Sequence, residues 1–437
     1  MDPYDGNNTE IETWQSLVHV CRRWRGLVLE LPRRLNLRLL CTPGTPARDA
    51  LDIWPALPLI VVGSSMAFSS GTDNVIAALG QSNRVSQVDL HPSNWQLEEV
   101  LAAMQVPLPE LTDLLLWSDD ETLPVICIPD SFLNGSAPRL RLLLLFGIPF
   151  PGLPKLLLST THLVQLRLAD IPHSGYISPE AILALLSVLS SLEIFYLGFR
   201  SPQSRPDRES RSPKRSILPA LYYFHFKGVT EYLEDFVARI DTPRLKILGI
   251  TFFNQIDFDC PRLARFINCT PTLKTRDEAH ILLDESTASV ELGYWTSNSD
   301  FYGIQIKISC RGPVRQLSSI EQVCNSSFSL LSTVEDLHIE YQCWEIGWKD
   351  DTIENTSWLQ LLLPFIAVKN LYLSEEFAPG ITAALQELVG DRMAEVLPSL
   401  QNIFVKGTGV EPSRPFLEKL EQFIDARQLS DHPNGHF

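Results

Sequence analysis

Residues 163–168 read LVQLRL: an apolar residue, two free positions, and then an apolar, a free and an apolar position. The same spacing occurs in nine further segments. These are VSQVDL (85–90), LTDLLL (111–116), LRLLLL (140–145), LEIFYL (192–197), LYYFHF (221–226), LKILGI (245–250), VEDLHI (334–339), VKNLYL (368–373) and LQNIFV (400–405). A single match means little in a leucine-rich chain, but ten quasi-periodic matches indicate a structural repeat.

The repeat combines a strand pattern with a helix pattern. Its last four positions alternate between apolar and free residues, which is typical of a short strand with one buried face. Helix-like segments lie between the strand patterns. One begins at Ser178-Pro179-Glu180, with a candidate N-cap and a proline at the first helical position. The others cover 94–104, 230–240, 356–365 and 381–389. The chain therefore alternates strand and helix.

This alternation predicts an α/β leucine-rich-repeat solenoid, with parallel strands on the concave face and helices on the convex face. No single repeat can bury its own apolar side, so neighbouring repeats must stack into one continuous core. The apolar strand positions should then be almost fully buried. They include Leu114, Leu116, Leu166, Leu168, Leu248, Leu337, Leu371 and Ile403.

Two segments depart from the repeat inside a predicted array over residues 32–411. Residues 200–216 read RSPQSRPDRESRSPKRS, which predicts a flexible basic insertion. This insertion is either a tolerated surface loop or a regulatory segment. Residues 286–312 contain two alternating runs around Thr296–Asp300, which predicts a hairpin. After the array, 412–437 contains the amphipathic stretch 415–427, which we expect to cap it.

Composition limits the classes of function. The net charge of −16 argues against general binding to nucleic acid or to an anionic membrane surface. The eight cysteines are scattered without a CxxC pair, which predicts reduced core residues. The acidic first residues do not resemble a secretory signal, and the longest apolar windows are short or broken by proline. A cytoplasmic or nuclear location follows as an expectation.

No motif predicts catalysis or a cofactor. The sequence has no GxSxG, P-loop, GxGxxG or HExxH pattern, and its nine histidines lie far apart. We therefore expect no enzyme activity, no cofactor and no metal site. His225 and His338 fall on outward strand positions, where solvated or partner-facing side chains are expected.

The N-terminal segment Trp14–Val28 reads WQSLVHVCRRWRGLV and predicts a short amphipathic helix. Its apolar stripe contains Leu17, Val20, Cys21, Trp24 and Leu27, and a helix that caps the first repeat would explain it unaided. The stretch 16–28 resembles the second half of an F-box. The segments 32–61 and 331–339 are similar to F-box-like leucine-rich-repeat proteins of the type expanded in mushroom-forming fungi.

This resemblance implies a role as the substrate-recognition subunit of a cullin–RING ubiquitin ligase. The five stripe residues would then form the F-box core or contact the ligase adaptor. The first F-box helix normally begins with leucine-proline, and residues 1–13 contain no such pair, so the F-box at 1–31 is incomplete. The alternative is a stand-alone repeat protein that has lost adaptor binding.

A partner protein is expected on the concave face, where several outward strand positions carry aromatic side chains. Aromatic residues dominate binding energies at protein interfaces. The candidate contact residues are Arg167, Tyr196, Tyr223, His225, His338, Tyr372 and Phe404. The alternative explanation is that irregular loops or the basic insertion cover these side chains.

Overall fold

The computed structural model describes most of the chain between residues 21 and 406. The described residues are 21–30, 38–53, 56–64, 71–118, 126–150, 155–202, 215–253, 258, 260–273, 277–295, 301–325, 329–342, 353–388 and 395–406. The chain divides into two compact units. Unit 1 comprises Met1–Tyr222 and Arg239–Thr242, and unit 2 comprises Tyr223–Ala238 and Pro243–Phe437.

Unit 1 contains seven described strands that pair in parallel in the order of the sequence. They are β1 (Leu39–Cys41), β2 (Leu59–Gly63), β3 (Val85–Leu90), β4 (Asp113–Trp117), β5 (Leu142–Phe146), β6 (Gln165–Ile171) and β7 (Ile194–Phe199). A separate two-stranded parallel pair joins β8 (Ser216–Ile217) to β10 (Ile240–Asp241). The helices are α1 (Arg22–Glu30), α2 (Ala47–Ile53), α3 (Thr72–Leu79), α4 (Asn94–Ala103), α5 (Lys155–Ser159) and α6 (Pro179–Leu186).

Unit 2 contributes eight described strands. They are β9 (Tyr223–Gly228), β11 (Ile247–Phe253), β12 (Glu278–Leu283), β13 (Thr287–Trp295), β14 (Phe301–Ser309), β15 (Asp336–Tyr341), β16 (Asn370–Ser374) and β17 (Asn402–Lys406). Its helices are α7 (Thr230–Val237), α8 (Pro261–Cys269), α9 (Pro313–Asn325), α10 (Asn355–Leu362) and α11 (Ala378–Gln386). Each unit thus has the strand–helix repeat of an α/β leucine-rich-repeat solenoid.

Strand order in unit 2 is interrupted by a three-stranded meander. The order is β9-β11-β14-β13-β12-β15-β16-β17. β13 pairs antiparallel with both β12 and β14, whereas β14 pairs parallel with β11 and β12 pairs parallel with β15. The predicted hairpin is the β13–β14 pair. β12 was not predicted, because its segment lacks the apolar residue that opens the repeat pattern.

All ten repeat patterns coincide with parallel strands. Nine of these described strands begin at the third residue of the pattern, and β3 begins at the first. Seven of the eight core residues expected from the pattern are at most 1% exposed, from Leu114 to Leu371. Ile403 is the exception, since it is only half-buried. It lies on β17, which pairs with β16 and with no other described strand.

The helices form where sequence signals predicted them. Ser178 caps α6 by accepting a hydrogen bond from the Ala181 N–H at 3.2 Å, and Pro179 occupies the first helical position. In α7 the buried residues include Leu233 and Phe236, and the helix ends at Val237. The predicted helix ran on to Ile240, which instead belongs to β10.

The face of the sheet that carries the helices is clear in unit 2. Phe224 on β9 packs on Phe236 of α7 with ring centroids 5.4 Å apart, and Phe226 packs on Tyr232 at 5.6 Å. Because successive strand residues point to opposite faces, Tyr223 and His225 point away from α7. We call the face opposite the helices the open face.

Several expectations need correction. Cys41, Cys260, Cys310 and Cys324 are buried, but Cys21, Cys127 and Cys269 are exposed, so only some cysteines belong to the core. Cys343 lies outside the described residues. The positions of the cysteines in the sequence could not show which of them are buried, because burial depends on which side of each helix or strand faces the neighbouring repeat.

The N-terminal helix α1 also differs from its prediction. Trp24, expected within a buried stripe, is 48% exposed, and Cys21 is exposed as well. Amphipathic spacing predicts a buried face only where another element covers that face. Leu17 and Val20 lie outside the described residues, and Leu27 is described only as part of the helix.

The segment predicted as a basic loop is ordered at both ends. The Arg200 guanidinium donates to Asp170 at 2.7 Å, and Ser216 begins β8 and is buried. These contacts with neighbouring elements are not visible in composition. Residues 203–214 lie outside the described part of the chain, as does the predicted cap at 412–437.

Within the described residues, none of the helices is both long enough and apolar enough to cross a membrane.

Candidate functional site

The open face of unit 2 carries one residue from every strand in a single transverse row. Strand pairing aligns these positions from β9 to β17. We call this set the central row. Its members are His225, Gly249, Gln305, Glu291, His280, His338, Tyr372 and Phe404. Four of the predicted site residues, at 225, 338, 372 and 404, therefore belong to one row.

The last four members of the central row form a continuous ring stack. The centroids of His280 and His338 lie 4.4 Å apart, those of His338 and Tyr372 4.2 Å, and those of Tyr372 and Phe404 4.7 Å. The angles between ring planes are 13°, 4° and 13°, so the rings are nearly parallel. The in-register parallel strands produce this stack, because they place equivalent side chains one strand spacing apart.

Exposure changes along the ring stack. The side chains of His280 and His338 are 16% and 13% exposed, whereas Phe404 at its end is 44% exposed. Rings on both sides cover the faces of His338, so the solvated half of the expectation does not describe it, and a partner-facing role stays a prediction. Phe404 offers one large apolar surface at the end of the ring stack.

Carboxylates surround the two stacked histidines. Glu278 Oε1 lies 2.9 Å from His280 Nε2 and 3.5 Å from His338 Nε2. Glu340 Oε1 lies 3.8 Å from His338 Nδ1, and Glu340 also forms an ion pair with Lys406. The interaction with His338, followed by that with Lys406, lowers the pKa of Glu340 to about 2. Glu340 therefore stays ionised at neutral pH.

Glu291 is a charged residue inside the central row. It is 3% exposed, and its Oε1 accepts a hydrogen bond from Gln305 Nε2 at 2.6 Å. Its Oε2 has no hydrogen-bond partner among the described residues. Glu291 is also the cross-strand partner of His280 in the β12–β13 pair. A buried oxygen without a partner is uncommon, because it loses its hydration without compensation.

His225 lies at the other end of the central row. Burial lowers its pKa to about 4, with further lowering by the charges of Lys227 and Lys307. The neighbouring position on β11 is Gly249, where a Cβ would lie 2.3 Å from His225 Nδ1. Glycine at 249 therefore makes room for the imidazole. His225 is therefore neutral at neutral pH and only partly exposed, and the expectation of a solvated or partner-facing side chain stays a prediction.

A polar row runs beside the ring stack at the starts of the same strands. Asn402 Nδ2 donates to Asn370 Oδ1 at 2.8 Å, and Asn370 Nδ2 donates to Asp336 Oδ1 at 2.6 Å. These side-chain hydrogen bonds join β17, β16 and β15. They hold the strands in the register that the ring stack needs.

The remaining predicted site residues are less closely grouped. Arg167 and Tyr196 are register partners on β6 and β7 of unit 1, and both are half-buried. Tyr223 is half-buried on β9, two residues before His225 of the central row. Unit 1 also contains an aromatic group that the sequence reading missed. In it, Trp117 stacks on His91 at 4.9 Å and packs on Phe146 at 5.2 Å.

The sequence reading also missed Glu278 and His280, although a signal was present. Residues 278–281 read EAHI and residues 336–339 read DLHI, so the two strands share an acidic-apolar-histidine-isoleucine order. The repeat pattern requires an apolar residue two positions before this tetrapeptide. That position is Val334 before β15 but Arg276 before β12, which is why only β15 was found.

Comparison with known proteins does not extend this description. No protein-family model matches the chain, and no curated protein matches it. Among solved structures it is similar to the leucine-rich repeat-containing protein LegL7 from Legionella pneumophila (13% identity, TM-score 0.29, 89% of this chain and 98% of that chain covered). It is also similar to the LRR protein LIC12759 from Leptospira interrogans (13%, 0.27, 79% and 90%). A third similarity is to the structure of the TLR13–ssRNA13 complex (13%, 0.28, 85% and 55%).

Proposed function

We propose that this chain is a non-catalytic protein-binding scaffold whose partner docks on the open face of unit 2. The observation that carries the proposal is the stack of His280, His338, Tyr372 and Phe404, which ends in a half-exposed ring. Rigid aromatic side chains contribute large contact areas at a small entropic cost, since packing already fixes their rotamers. Phe404 and the edge of Tyr372 would be the main anchors.

Charged and polar groups border this aromatic surface. Glu340 and Lys406 lie along one side of the ring stack, and the Asn402–Asn370–Asp336 row lies along the other. An apolar centre with a polar rim is the usual arrangement of a protein interface. The overall charge of −16 disfavours a nucleic-acid partner, because phosphates would be repelled. A protein partner fits these features best.

The experiment is a pull-down with the full-length chain and two variants, Tyr372→Ala and Phe404→Ala. We expect both variants to lose partners that the wild type retains. Trp95→Ala is the matched control, because Trp95 is an aromatic residue 56% exposed on α4 in unit 1. Unchanged partners in folded Tyr372→Ala and Phe404→Ala would contradict the proposal. Loss of the same partners in the control would point to general stickiness.

We further propose that the N-terminal segment attaches the scaffold to the adaptor of a cullin–RING ubiquitin ligase. The chain would then be the ligase subunit that recognises the substrate. The resemblance of residues 16–28 to an F-box suggests this role, and the exposed Trp24 on α1 is available for such a contact. The Arg200–Ser216 insertion and its two Ser-Pro pairs would be a place for regulation.

A binding assay with purified adaptor separates the ligase role from a stand-alone scaffold. We expect the full-length chain to bind the adaptor, and Trp24→Ala to weaken binding while Trp95→Ala does not. If the folded wild-type chain shows no adaptor binding, the stand-alone alternative is correct. Docking on the open face of unit 2 would be unaffected by that outcome.

A further inference from the structure

Three potential metal-binding side chains meet on two adjacent strands of unit 2. Glu278 and His280 are two residues apart on β12 and so point to the same face. His338 is the register partner of His280 on the parallel strand β15. The Glu278 carboxylate oxygen and one ring nitrogen of each histidine all lie within 4.8 Å of one another. The fold thus brings together residues that are distant in sequence.

The separations of these atoms fit a small divalent ion. Imidazole nitrogen and carboxylate oxygen bind Zn²⁺ at about 2.0–2.2 Å, so tetrahedral neighbours are about 3.3 Å apart. Glu278 Oε1 lies 2.9 Å from His280 Nε2 and 3.5 Å from His338 Nε2, on either side of that value. The two rings are stacked within 13° of parallel. To share one ion, they would have to tilt their Nε2 ends towards each other.

A second carboxylate is placed to orient one of the ligands. His338 Nδ1 has no hydrogen-bond partner among the described residues, and Glu340 Oε1 lies 3.8 Å away. A metal-bound histidine usually donates its other ring N–H to a carboxylate, which fixes the tautomer and the ring orientation. Glu340 is held nearby through Lys406. A small rotation of His338 would bring Nδ1–H into hydrogen-bond range of Glu340.

The charge around the cluster also favours a cation. Glu278 and Glu340 flank the histidines, and the 3% exposed Glu291 is paired with His280 across the β12–β13 ladder. Glu291 Oε2 is buried without a hydrogen-bond partner in the described residues. A positive charge nearby would offset the cost of holding this carboxylate out of water.

We propose that Glu278, His280 and His338 bind one divalent transition-metal ion of the Zn²⁺ type on the open face of unit 2. Two imidazoles and one carboxylate suit such an ion better than Mg²⁺ or Ca²⁺, which prefer oxygen ligands. Three protein ligands leave a further coordination position open to water. This inference does not depend on the docking of a protein partner.

The test uses the full-length chain, titrated with Co²⁺ while its visible absorption is recorded, and with Zn²⁺ in competition with a chromophoric chelator. We expect one ion per chain at micromolar affinity or tighter. His280→Gln and His338→Gln should weaken binding by more than about 100-fold, and the orienting variant Glu340→Gln by about 10-fold. The Co²⁺ spectrum should show nitrogen ligation in the wild type.

One control and one further ligand variant make the result decisive. His91→Gln removes an accessible histidine that lies 3.5 Å from Asp89 in unit 1, and it should leave binding unchanged. Glu278→Gln changes a more exposed side chain, so it tests the site even if a histidine variant fails to fold. Circular dichroism checks the folding of each variant. The proposal is overturned if no ion binds at micromolar concentration, or if folded Glu278→Gln and His338→Gln bind as tightly as the wild type.

Discussion

The substitution Leu337→Ala tests the repeat architecture at a fully buried position. Leu337 is 0% exposed on β15, between its register partners Ala279 on β12 and Leu371 on β16. Removing three carbon groups forfeits about 2.4 kcal/mol of transfer free energy, at about 0.8 kcal/mol for each buried methylene. Because β15 is paired on both sides, the surrounding residues cannot fully close the cavity left by the substitution. The cavity therefore raises the expected loss of unfolding free energy to about 3–4 kcal/mol.

Ile403→Ala is the matched comparison, because it removes the same number of carbons from the same position of the repeat. Ile403 is only half-buried on β17, so about half of the transfer term applies and the expected loss is about 1 kcal/mol. The loss of unfolding free energy should therefore be about 2–3 kcal/mol larger in Leu337→Ala than in Ile403→Ala, because of the larger transfer free energy and the cavity.

The measurement is hydrogen–deuterium exchange with mass spectrometry, which reports opening free energies for peptides from individual strands. It suits a repeat protein because unfolding of a repeat array need not be two-state. Peptides from β15 and β16 should lose most protection in Leu337→Ala, and β17 should lose most in Ile403→Ala. Equal losses in the two variants would refute the assignment of burial along the array.

Three further predictions concern single contacts. Burial lowers the pKa of His225 in the folded chain to about 4, and the charges of Lys227 and Lys307 contribute to this shift. The pKa of histidine in the unfolded chain is about 6.5, so the unfolded chain binds the proton first as the pH falls. Stability should therefore fall by up to about 3 kcal/mol between pH 6.5 and pH 4; thermal unfolding of His225→Asn should lack this part of the pH dependence. Gly249→Ala should cost about 1–3 kcal/mol because its Cβ would contact His225, and His225→Ala in the same chain should relieve part of that cost in urea unfolding. Ser178→Ala should cost about 1 kcal/mol in urea unfolding by removing the N-cap of α6, whereas Ser178→Asp should preserve it.

The repeated strands and the core were predictable because local spacing determines them. Leucines at alternating positions can be buried only on one face of a strand, and the helices between them carry their own capping signals, as at Ser178. Ile403 shows the limit of this reasoning. Ile403 occupies the same position of the repeat pattern as Leu371. The burial of a side chain also depends on the neighbouring repeat, however, and the pattern within one repeat carries no information about that neighbour.

The site was only partly predictable, for a related reason. The alternation placed His338, Tyr372 and Phe404 on one face, but the ring stack depends on register between strands. His280 joins that stack because β12 is displaced past β13 and β14 to pair with β15. Nothing local to residues 278–283 encodes that displacement. Non-local topology therefore decides which histidines meet.

The β12–β13–β14 meander has a further consequence for how the chain acquires its structure. In a simple repeat array, each strand pairs with the strand of the next repeat, so order can spread one repeat at a time. Here β11 can pair with β14 only after the chain has passed through β12 and β13, and β15 pairs back with β12. The helix α9 (Pro313–Asn325) lies between β14 and β15 in the chain. Within residues 247–341, several strand pairs therefore join segments that are distant in sequence. Each such pair closes a long loop, and loop closure slows folding. This stretch should behave as one kinetic block, and repeats on either side should be able to order before it does.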